Sequence, residues 1–143
     1  MSTRILSVIA LTTLLGACAS PPPSTPLSEQ SLQHHHWVLD KIDGLPLLAE
    51  KGQAPDLEIG EHLRANGSAG CNRYFGQVEV QGTQLRIKQM ASTMMFCPPP
   101  RQDWERAMTS TLSEWSEATL SEQQLRLKGP QHELQFKLQD WVR

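Results

Sequence analysis

The chain has 143 residues and a mass of 16.0 kDa, which is room for one domain. Hydrophobic residues make up 38% and charged residues 20%, apolar enough for a packed core and too apolar for disorder throughout. Thirteen basic and fifteen acidic side chains leave a formal net charge of -2, so no cationic excess exists to neutralise phosphates and nucleic acid is not an expected partner.

Arg4 is the only charged side chain before Glu29, and an almost wholly apolar run follows it from Ile5 to Leu15. As a helix that run would be roughly 16 Å long, against about 30 Å for a bilayer core, so it is too short to span and suits a secretory leader. It ends in Leu15-Gly16-Ala17-Cys18, which resembles a bacterial lipobox. The resemblance implies cleavage before Cys18, a diacylglyceryl group on its sulfur and an acyl group on the new amino terminus. Several acyl chains, each stabilised by about 0.8 kcal/mol per buried CH₂, anchor stably where one chain is marginal. Residue 19 is alanine. In Gram-negative sorting an aspartate there retains lipoproteins at the inner membrane, so Ala19 implies the outer membrane, with the domain facing the periplasm.

Residues 1–17 are therefore read as a leader, 18–33 as the lipidated cysteine and a tether, and 34–143 as the domain. The tether holds Pro21, Pro22, Pro23 and Pro26 among serines. Proline fixes φ and removes donors, so this stretch is expected to be extended.

In chain order, Trp37 to Ile42 reads as a first strand ended by Asp43-Gly44. Pro46 and Pro55 punctuate a loop, and Leu57 and Ile59 alternate with acids in a short strand. Leu63 to Ala69 reads as a strand unless Asn66-Gly67 turns a hairpin there. Val78 and Val80, then Leu85 and Ile87 beyond Gln81-Gly82-Thr83, alternate as the arms of a hairpin. Met90 to Cys97 is more continuously apolar and reads as a buried strand. After Pro98-Pro99-Pro100, a stripe of Trp104, Ala107, Met108, Thr111, Leu112 and Trp115 has the helical period, with Asp103 and Glu105 in the first turn where the macrodipole favours acids. Leu125 and Leu127 then face Leu134, Phe136 and Leu138 across Gly129-Pro130 in a second hairpin. One helix among many short strands implies a mostly β (α+β) fold, a small antiparallel barrel or rolled sheet with the helix packed on it.

Two segments carry a more specific resemblance. Gly70-Cys71-Asn72-Arg73-Tyr74-Phe75-Gly76 and Ala91-Ser92-Thr93-Met94-Met95-Phe96-Cys97 lie about twenty residues apart with the hairpin between them. With the flanking Gln33 to Trp37 and Phe136 to Trp141, they resemble the META domain in its HslJ-like, heat-inducible lipoprotein form, over roughly residues 32–143. The resemblance implies a barrel-like α/β domain, an envelope location, heat induction and, for some members, tolerance of novobiocin. It implies no established catalytic residues; no cofactor is expected. Many relatives have a basic residue between the Thr and Met of the second segment, where this chain has Met94.

With Cys18 lipidated, Cys71 and Cys97 remain, an even number in an oxidising compartment. They are expected either to form a disulfide or to be two buried thiols. In the Gly70 to Gly76 loop, Asn72, Arg73 and Tyr74 are candidates for a binding surface, against the reading of a turn that carries Cys71 into place. Among His34, His35 and His36, alternate side chains on a strand point to opposite faces, so at most two could share an ion, and no metal is expected. Met90, Met94, Met95 and Cys97 have the softness for Cu(I) but also fill a buried strand. No G-x-S-x-G, H-E-x-x-H or phosphate-binding loop occurs, so no enzyme is expected. The function expected is a non-enzymatic outer-membrane lipoprotein of the heat-stress response. Its partners are the membrane, through Cys18, and an unidentified envelope protein or small ligand. The alternative is a periplasmic inhibitor or a carrier of small apolar molecules.

Overall fold

The computed structural model describes residues 25–139. Alternation of buried and outward side chains sets its strands. In β1 (His35–Ile42), Trp37 and Leu39 point inward. β2 (Leu45–Pro46) folds back on the end of β1, Pro46 opposite Lys41. There follow β3 (Asp56–Ile59), β4 (Arg64–Ser68), β5 (Arg73–Gln81), β6 (Gln84–Ser92), β7 (Ser116–Leu120), β8 (Gln124–Lys128) and β9 (Glu133–Gln139). From β4 onward each pairs antiparallel with its predecessor. β3 pairs with β1, and β9 returns to β1 with Leu138 opposite Trp37. β1 and β3–β9 thus form a closed eight-stranded antiparallel barrel, the mostly β fold expected. Closure removes the exposed edges of an open sheet. β6 and β7 pair only through Gln84, Leu85, Ser116 and Glu117, and the helix α2 (Arg101–Ser113) between them packs on β6 and β9.

The interior is filled from both sides of the closure. Trp37, Leu57, Ile59, Ile87, Leu127 and Phe136 come from the strands, and Met108 and Leu112 from α2. Each buried aliphatic side chain contributes roughly 1.5–3 kcal/mol. Gly67 does not turn a hairpin but lies within β4, where a Cβ would be driven into the Asp56 carbonyl oxygen. Gly76 sits at a register shift in β5, where a Cβ would meet the Ile87 side chain.

Antiparallel order sends successive connections to opposite ends. One end carries residues 60–63, the Gln81 to Thr83 turn and residues 121–123. The chain comes in at this end: Leu27 N donates to Gly82 O at 3.0 Å, and the short helix α1 (Glu29–Leu32) lies on the 61–63 turn. The other end carries residues 43–55, 69–72, 93–115 with α2, and 129–132.

Three sequence expectations need correction. The tether was expected to be extended through residue 33, with the domain starting at 34. Instead the body takes in Leu27, which packs against the core, and Leu32, which is wholly buried. A reciprocal capping box, Ser31 N to Ser28 Oγ and Ser28 N to Ser31 Oγ, nucleates α1. The leader, Cys18 and tether residues 18–24 lie outside the described residues. Second, Met90 to Cys97 is not one buried strand: β6 ends at Ser92 and residues 93–98 carry no regular element. Third, β7 carried no recognisable signal, because Ser116 and Ala118 are its inward residues and neither is strongly apolar.

Candidate functional site

At the end away from the chain's point of arrival, the two motif segments meet around one amide. Asn72 is 4% exposed, and all of its side-chain capacity is used. Its Oδ1 accepts from Met95 N at 2.6 Å and from the Thr93 hydroxyl at 2.8 Å. Its Nδ2 donates to Met95 O at 3.0 Å and to both oxygens of Glu105, at 2.9 and 3.0 Å. Asn72 N also donates to Glu105 Oε2 at 3.1 Å, and Arg101 Nε donates to Gly70 O at 2.7 Å. α2 thereby grips the 69–72 connection, which in turn grips residues 93–95. Cys71 and Cys97 are joined in a disulfide, with Cα atoms 5.8 Å apart, that closes the same cluster.

This pinning explains why the apolar run is not a buried strand. The amide and carbonyl of Met95 are satisfied by a side chain rather than by a neighbouring strand, so nothing turns its side chains inward. Met94 is 96%, Met95 61% and Phe96 82% exposed. Phe75, on β5 opposite Ala91, is exposed as well. Of the three residues proposed as a binding surface, only Arg73 is on the surface. Asn72 is the internal clamp just described. Tyr74 is 2% exposed and donates its hydroxyl to Asp56 O at 2.8 Å. Burial first, and then the Asp56 charge, hold the Tyr74 phenol well above its ordinary pKa.

Beside the clamp lies a groove of about 460 Å³ between residues 45–48 and the first turns of α2. Leu45, Pro46, Leu47 and Leu48 form one wall, Pro100, Trp104 and Ala107 the other. Its polar groups are Asp43, Asp103 and His132. Asp43 Oδ1 accepts from Glu133 N and Oδ2 pairs with His132 Nδ1, each at 2.8 Å. Those bonds, the backbone one first, hold the Asp43 carboxyl below its ordinary pKa.

Of the histidines at the strand start, His36 has its Nε2 2.8 Å from Asp56 Oδ2, and His35 stacks on Trp37. Among the described residues no group of three or more His, Cys, Asp or Glu side chains is placed to hold a metal ion. The disulfide removes the thiolate that the soft-metal reading of Cys97 required. Glu105, Asp43 and His132 were not singled out from sequence as site residues. Glu105 reads as an ordinary first-turn acid, and 89 residues separate Asp43 from His132.

The META domain family model matches residues 30–141. The heat shock protein HslJ of Escherichia coli (strain K12) is 30% identical over 138 residues, 96% of each chain. An NMR structure of a protein 30% identical superposes with a TM-score of 0.72, covering 82% of this chain and 99% of that one. A second, of a protein from Burkholderia xenovorans, is 23% identical with a TM-score of 0.69, covering 92% of this chain and all of that one, and speaks to the fold alone.

Proposed function

Since this chain belongs to the META domain family, we propose that it is a non-enzymatic outer-membrane lipoprotein of the heat-stress response that holds an envelope protein against the far end of its barrel. The carrying observation is the loop at Met94, Met95 and Phe96, three adjacent apolar side chains exposed on a backbone clamped by Asn72 and the disulfide. Isolated apolar side chains on a surface need no explanation, but a rigid contiguous set marks a contact site. Because the loop is held rather than mobile, binding does not carry the cost of ordering it. Arg73, exposed on the adjacent strand, gives the loop a cationic flank. The name of the Escherichia coli relative supports a role in heat stress, and the lipobox at residues 15–18 supports the anchor. Tolerance of novobiocin is part of the same reading, through the resemblance to HslJ-like lipoproteins.

The non-enzymatic part is supported by the groove's lining. The Asp43–His132 pair resembles a base and its orienting carboxylate, but among the described residues no Ser, Thr, Cys or Lys lines the groove for it to activate. A second reading, a carrier of a small apolar molecule, is favoured by the groove itself.

The test is complementation of a strain lacking the protein. Wild type should restore growth after a temperature upshift and in novobiocin. The Met94→Ser/Phe96→Ser variant should not, while remaining folded and in the membrane fraction, since both side chains are more than four-fifths exposed. Full rescue by this variant would sink the loop's role. Cys18→Ser should leave the leader uncleaved; unchanged processing and fractionation would remove the anchor.

A further inference from the structure

We propose that the groove between residues 45–48 and α2 is a binding site for a small amphiphilic cation, an aromatic or aliphatic body carrying an ammonium group. This goes beyond the protein-holding role and uses a different surface. The volume of about 460 Å³ lies within the range of small-ligand sites, and most of the lining is apolar. Among the described residues, the charged groups in that lining are two carboxylates and one imidazole, with no lysine or arginine. With His132 neutral the groove presents two negative charges, and with it protonated it still presents one in net. Arg106 comes within 3.8 Å of Asp103, but both side chains are more than half exposed, so this pair is weak and yields to a ligand. Trp104 supplies an aromatic face to an ammonium group. Among the described lining residues only His132 can become cationic, and Asp43 is already its partner, so an anion meets a lining that is negative in net, which decides against a phosphate or a fatty acid.

The site is also preformed. Asp43 and Gly44 both have positive φ, 51° and 79°, and this turn throws residues 45–48 back across α2. The bonds from Asp43 to His132 and to Glu133 N tie that turn to the 129–132 connection. Leu27, from which the chain continues back to the proline-rich segment, is tied to Gly82 at the opposite end of the barrel.

The experiment uses residues 25–143, which include the whole family-matched stretch of residues 30–141; a 30% identical relative, matched over 99% of its own length, is folded as solved. It is titrated at pH 7 with 1-naphthylmethylammonium, 1-naphthylmethanol and 1-naphthylacetate, and followed by amide and indole chemical shifts. The cation should bind saturably and about tenfold more tightly than the carboxylate, a difference of about 1.4 kcal/mol. Its shifts should centre on Leu47, Leu48 and Trp104. Asp103→Asn should reduce the preference for the cation. Leu48→Lys, at a position 93% exposed and therefore tolerant, should abolish cation binding while preserving the spectrum of the fold. Equal affinity for all three probes, tighter binding of the carboxylate, shifts centred on Met94 to Phe96, or no saturation would each overturn the proposal.

Discussion

Asn72 is the residue on which the functional end turns. A buried amide with all its donors and acceptors engaged is stabilising, and the same group removed leaves its partners stranded. Asn72→Ala leaves the Met95 amide, the Met95 carbonyl and the Glu105 carboxylate without their shared partner. It should cost roughly 3 kcal/mol in urea unfolding at pH 7. Asn72→Asp should cost more at pH 7, because it sets a second carboxylate where the amide now lies 2.9 Å from Glu105. The sign of its pH dependence follows. One of the two carboxyls must hold a proton in the folded variant, so its folded pKa is raised, and the penalty should shrink as pH falls toward 4.5. An Asp variant no less stable than the Ala variant at pH 7 would mean that Glu105 is not held against residue 72.

The elements divide by how local their causes are. The hairpin of β5 and β6 and that of β8 and β9 were readable because Val78, Leu85, Ile87, Leu125, Leu127, Leu134 and Phe136 alternate, and those residues are buried. α2 was readable because Ala107, Met108, Thr111 and Leu112 fall on one stripe, which is its buried face. Residues 93–97 were misread because their side-chain directions are set by Asn72, more than twenty residues away, and not by the alternation of a strand. α1 was hidden by its polarity: Ser28 and Ser31 read as tether until Leu32 has a core to enter. The same non-local control makes the disulfide matter to this loop. Opening a closed loop of about 27 residues should remove about 3.5 kcal/mol in the chain-entropy model. In Cys71→Ala/Cys97→Ala, amide exchange at Met94 to Phe96 should accelerate far more than in β8 and β9, whose pairing does not depend on the bridge. Uniform acceleration across the barrel would show that the bridge stabilises the whole fold and not the loop.

For the molecule as a whole, the two ends of the barrel carry different features, and the proposed lipid anchor at Cys18 would decide which of them faces the membrane. Leu27 is tied to Gly82 at one end, and the Met94 to Phe96 loop and the groove sit at the other. β6 connects the two ends, and its nine residues span about 30 Å along the strand, or roughly 23 Å in height at an ordinary barrel tilt. From Cys18 to Leu27 the chain would reach about 28 Å as polyproline II and at most about 32 Å fully extended. Laying the loop on the bilayer would therefore hold that tether in a largely extended form, at an entropic cost that the opposite orientation avoids. The lipidated chain in vesicles should then stand with Gly82 and residues 61–63 near the headgroups and Met94 to Phe96 facing away from the bilayer. Gadolinium-chelating lipids in the outer leaflet should broaden the amides of Gly82 and His62 and leave those of Met95, Phe96 and Trp104 sharp. Broadening at Phe96 with Gly82 sharp would place the apolar loop in the membrane and make the bilayer, not a protein, its partner.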